Sequence, residues 1–181
     1  MPHAPRLHRF LRLSLWVLCA VVGHAHGAAA MEEVDLKAAY VYNFIQFIDW
    51  PEDGAAAGQD VTVCVSPFSP LKRPLTALEG RRTAKGRTVR VKLLEMADMR
   101  PCRVIVLYNT DVDPVVRLLR TMPPAHGILT ISDELTFINP EVVISLSQED
   151  GRVVFGISSD AAARAGLNIS SRLLRLAKVS R

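Results

Sequence analysis

Three segments of this sequence, residues 61–66, 103–108 and 128–132, are short, rich in β-branched residues and apolar almost throughout. That is the pattern of strands covered on both faces, which occur where helices pack on either side of a parallel sheet. A fourth segment, residues 88–93, alternates apolar with polar residues and reads as a strand with one exposed face. Residues 142–146 and 152–157 flank the polar turn Glu149-Asp150-Gly151 and read as a hairpin.

Helical periodicity fills the intervals. Residues 34–49 carry one apolar stripe through Val34, Ala38, Val41, Ile45 and Ile48 and another through Leu36, Tyr40, Phe44 and Phe47. Together they cover more than half the circumference, so this helix should be largely buried, ending at Trp50-Pro51. A weaker helical pattern covers residues 71–78. Asp113-Pro114 signals a helix start and Pro123-Pro124 its end, with Val115, Val116, Leu118, Leu119 and Met122 facing the core. Near the C-terminus, Asp160 is the expected cap of a short turn closed by Gly166, and a last amphipathic helix runs through Ile169, Leu173, Leu174, Leu176 and Ala177. The alternation specifies an α/β fold: a three-layer α/β/α sandwich around a mostly parallel, Rossmann-like sheet with an edge hairpin. If the first and third strands are neighbours, Cys64 and Cys102 come within bridging distance.

Arg6, Arg9 and Arg12 precede an apolar run over residues 13–22, and the small residues Gly27-Ala28-Ala29-Ala30 follow. This is the order of a cleavable signal peptide, and about ten apolar residues are too few to span a bilayer as a helix. The expectation is therefore an exported protein, with residues 1–30 removed and residues 31–181 forming one domain. Three of the 22 basic residues and none of the 18 acidic ones lie in that leader. What remains has 19 basic against 18 acidic residues, which gives little support to a nucleic-acid partner. His3, His8, His24 and His26 leave as well, and only His126 stays. Cys64 and Cys102 make an even count in an oxidising compartment, which favours one disulfide over two buried thiols. Two cysteines and one histidine at wide spacing do not make a zinc shell.

No G-x-G-x-x-G or P-loop follows a strand, so the fold class brings no nucleotide cofactor with it. No set of residues supports catalysis, and neither a metal nor another cofactor is expected. His126 precedes its strand, whereas sites in such sheets form beyond the carboxyl ends. Asp133 and Glu134 do follow a carboxyl end. With Phe137 they are the candidate edge for a ligand or partner, against the alternative that the acidic pair only caps a turn.

Three stretches carry a family likeness. Leu36-Lys37-Ala38-Ala39-Tyr40 with Asn43-Phe44 and residues 47–51 (FIDWP) resembles the opening helix of the YfiR-like (YfiR/HmsC) family of periplasmic regulators. Leu129-Thr130-Ile131-Ser132-Asp133 is similar to the family's strand end, and residues 163–177 resemble its closing helix. The resemblance implies an α/β/α sandwich that binds the periplasmic part of an inner-membrane diguanylate cyclase and holds it inactive, lowering cyclic di-GMP. It also implies that Cys64 and Cys102 match one of the two disulfides of the characterised member. This chain lacks the second cysteine pair and has Pro140-Glu141 where relatives often show Gly-Gly. Family members also occur beside sensor kinases and outer-membrane receptors. The alternative role is thus a small-ligand sensor subunit for a histidine kinase or a TonB-dependent receptor. A homodimer rests on analogy alone.

Overall fold

The computed structural model describes residues 33–51, 60–133 and 139–178. The expected leader, Glu134 and Phe137 lie outside the described residues. Packing divides the chain into residues 1–34 and 35–181. Of the first unit only Glu33 and Val34 are described, both helical.

Helix α1 spans residues 33–47 and is followed by β1 (Ile48–Asp49), β2 (Val61–Val65), α2 (Lys72–Thr76), β3 (Val89–Leu93) and β4 (Val104–Leu107). A 3-10 turn (Asn109–Asp111) then leads into α3 (Val112–Leu119), β5 (Leu129–Ser132), β6 (Ile144–Glu149), β7 (Arg152–Ile157), α4 (Ser159–Arg164), β8 (Asn168–Ile169) and α5 (Ser171–Leu176). The main sheet has the order β3-β2-β4-β5-β6-β7. Only the last pairing, β6 with β7, is antiparallel. The α/β sandwich with an edge hairpin is the fold the chain adopts.

The register sorts side chains onto two faces. Val65, Val106, Ile131, Ile144 and Ile157 stand in one row across the sheet, and Cys64 with Ile105 belongs to the next row, on the opposite face. Val115 and Leu119 of α3 pack on the face that carries Cys64, Ile105 and Leu107. Helix α1 covers the other, where the Phe44 ring meets Phe155 of β7 edge-on at 5.0 Å between centroids and Tyr40 lies 5.8 Å from the same ring. The hairpin closes through Asp150 and Gly151 alone, both at positive φ (48° and 74°), while Glu149 stays in the ladder opposite Arg152. Asp-Gly suits this turn because its mirror-image twist matches that of the strands.

Five local expectations need correction. Helix α1 stops at residue 47, because Ile48 and Asp49 pair antiparallel with Ile169 and Asn168. The same pairing moves Ile169 out of the last helix. That helix starts at Ser171, with the Ser170 hydroxyl accepting from the Leu173 N–H. Ser158, not Asp160, caps α4, since its hydroxyl accepts from the Ala161 N–H and Asp160 falls inside the first turn. Asp113 lies inside α3, and Asp111 flanks its start and accepts from the Tyr108 N–H. Leu36, placed on a buried stripe, is exposed.

Candidate functional site at the carboxyl crest

The parallel strands β2, β4 and β5 all run toward one crest, where the chain leaves β5 at Ser132-Asp133. The Asp133 N–H continues the ladder to the Leu107 carbonyl at 3.4 Å, so the residue is fixed by the end of the sheet. Its carboxylate does not face solvent. Lys37 of α1 reaches over the sheet, and its Nζ lies 3.0 Å from Asp133 Oδ1, with the two side chains 10% and 4% exposed. Such depth is tolerated by an ion pair because each charge replaces part of the water the other has lost.

The far side of the crest is tied just as firmly. The Thr130 hydroxyl donates to the Glu141 carbonyl and accepts from the Val143 N–H, while Asn139 accepts from the Glu141 N–H through its side chain. The two ends of the segment carrying Glu134 and Phe137 are therefore anchored, at Asp133 and at Asn139. Of the three residues expected at this edge, Asp133 is placed in a buried pair, and Glu134 and Phe137 fall outside the described residues.

Lys37 is the participant that sequence reasoning missed, although a signal was present. It falls three residues after Val34 and four before Val41, on a stripe of α1 that turns inward. A lysine on an inward stripe calls for a carboxylate, and Asp133 supplies it.

Cys64 and Cys102 are joined by a disulfide, with Cα atoms 5.7 Å apart. Both are 2% exposed and sit in the core with Leu94, Met99, Ile105 and Leu107. The bond pins the segment before β4 to the neighbouring strand β2.

His126 lies near the opposite end of β5. Its Nδ1 accepts from the Ile128 N–H, and burial, opposed by the Glu141 charge, holds its pKa below the usual 6.5. It borders a cleft of about 280 Å3 floored by Leu119, Met122 and Ile128. Arg120 and Arg164 flank Glu141 at 3.5 and 3.2 Å on the rim of this cleft. Among the described residues no group of three His, Cys, Asp or Glu side chains could hold a metal ion, and no helix is long and apolar enough to cross a membrane.

The profile of a protein family described as YfiR/HmsC-like matches residues 34–178. Comparison with curated proteins finds no match.

Proposed function

This chain belongs to the YfiR/HmsC-like family, whose members are periplasmic regulators rather than enzymes, and from that premise we propose that it binds and represses the periplasmic part of an inner-membrane diguanylate cyclase. The observation that carries the reading is the extent of the family match, which runs from the opening helix to the end of the closing one. The stretch that begins at Asp133 and includes Glu134 and Phe137 is the proposed contact edge. The Lys37–Asp133 pair acts there as a fixed post, holding the base of that stretch against α1. The leader is removed on export in this reading, and the disulfide forms in the periplasm.

Reconstitution tests the proposal. Membranes carrying the cyclase should lose cyclic di-GMP synthesis when the purified protein is added on the periplasmic side. Undiminished synthesis at saturating protein contradicts repression.

The sensor alternative draws on a different observation, the cleft beside His126, which is close to the lower size of small-molecule sites. Its partner would be a histidine kinase or a TonB-dependent receptor.

A further inference from the structure

The two edges of the main sheet are treated differently. On the outer side of β7, Lys178 runs alongside, its N–H donating to the Phe155 carbonyl at 2.8 Å. The outer side of β3 is only half closed. Val61 donates to the Thr88 carbonyl and Leu94 to the Val65 carbonyl, so Thr88, Arg90, Lys92 and Leu94 face β2. The parallel ladder then turns the backbone groups of Val89, Val91 and Leu93 outward. Val89 is sealed by Gly80 and Arg81, and the Val91 N–H is held by the Glu79 carboxylate at 2.6 Å. The Val91 carbonyl and both backbone groups of Leu93 have no partner among the described residues.

Large exposed apolar side chains lie close along the chain to this open stretch. Leu93 is 52% exposed, Met96 39% and Phe68 71%. Leu93 stands opposite Val65, and Phe68 and Met96 each lie three residues beyond that pair, within a reach of about 10 Å of chain. The turn presenting Phe68 is rigid. The Ser66 hydroxyl accepts from the Phe68 N–H, Ser69 donates to the Ser66 carbonyl, and Lys72 Nζ donates to the Pro67 carbonyl. An aromatic ring held outward by such a turn has little conformational entropy to lose on binding.

The charges around the edge select the occupant. Lys72, Arg73, Arg90 and Lys92 are all exposed there, and Arg90 is already paired with Asp60 at 2.9 Å and Glu79 at 3.2 Å, which leaves Lys72, Arg73 and Lys92 to meet an incoming charge. A second copy pairing antiparallel with Val91 opposite Leu93 would set Lys92 against Lys92, and like charges directly opposite one another are destabilising. We propose that the outer edge of β3 at Val91–Leu93, flanked by Phe68 and Met96, takes up an extended acidic segment of a partner protein by strand addition. Main-chain hydrogen bonds to the Val91 carbonyl and to Leu93 fix the segment, its acidic side chains meet Lys92, and its apolar ones meet Phe68 and Leu93.

The test uses the 15N-labelled protein and two blocked seven-residue peptides, one alternating Val with Glu and the other Val with Lys. The Glu peptide should shift the amide resonances of residues 91–96 and of Phe68, and the Lys peptide should not. Leu93→Pro removes an N–H that no intramolecular bond uses, so the rest of the spectrum should persist while binding weakens by about tenfold or more. Lys92→Glu should weaken the Glu peptide and admit the Lys peptide, which keeps the test open if the proline variant fails to fold. Absence of shifts at the edge, equal response to both peptides, or self-association lost in Lys92→Glu would overturn the inference. No cyclase enters this experiment, so its failure leaves the repressor reading standing, and the converse holds.

Discussion

A lysine and an aspartate meet under a helix in a buried ion pair. With the Lys37 and Asp133 side chains 10% and 4% exposed, neither can be rescued by water when the other changes. Asp133→Asn strands the ammonium without its carboxylate and should lower the unfolding free energy by about 3–5 kcal/mol, read by urea denaturation. Lys37→Met combined with Asp133→Leu should recover most of that loss, since apolar replacements of a buried pair are commonly neutral or better. A double variant as unstable as the single one contradicts this account. His126 makes stability depend on pH. Its folded pKa is depressed, so below about 6.5 the unfolded state takes up the proton first, and stability falls as pH drops from there toward the folded value. Protonation at Nδ1 also ends its acceptance from Ile128. The Tm of His126→Asn should therefore decline less between about pH 7.5 and 5.5 than that of the parent protein.

Among the elements, the strands were the most legible in the sequence, because β2, β4 and β5 are buried on both faces and leave no polar alternation to confuse with a helix. The boundaries were less so, for physical reasons. Ile48 continues the apolar period of α1, yet its backbone pairs with Ile169, a contact 121 positions away that no local pattern encodes. Ser158, Ser159 and Asp160 are all competent caps, and only the backbone geometry selects the first. The candidate site was half legible. Asp133 stood out by its place after a strand, whereas its partner lay in a helix whose tertiary position had to be known. The disulfide is an element-scale restraint, tying β2 to the segment before the adjacent strand β4 across a sequence separation of 38. Replacing both cysteines with serine should cost about 3–4 kcal/mol of stability by calorimetry or urea unfolding. Because both sulfurs are buried, mild reductant should leave the folded protein bridged until it unfolds.

For the whole molecule, two surfaces of the sandwich follow from the topology. Parallel strands bring Asp133 to a crest tied down by α1, and the same parallel order leaves β3 as an outer edge with Leu93 open. Neither depends on a cofactor, and both suit a protein that acts by contact. The central claim is that such contact silences a membrane diguanylate cyclase. The most direct measurement is cellular cyclic di-GMP in the source organism with the gene intact, deleted, and deleted with the protein restored. Repression predicts a rise on deletion that the restored protein reverses. An unchanged level in the deletion strain would contradict the claim and shift the reading to the sensor role.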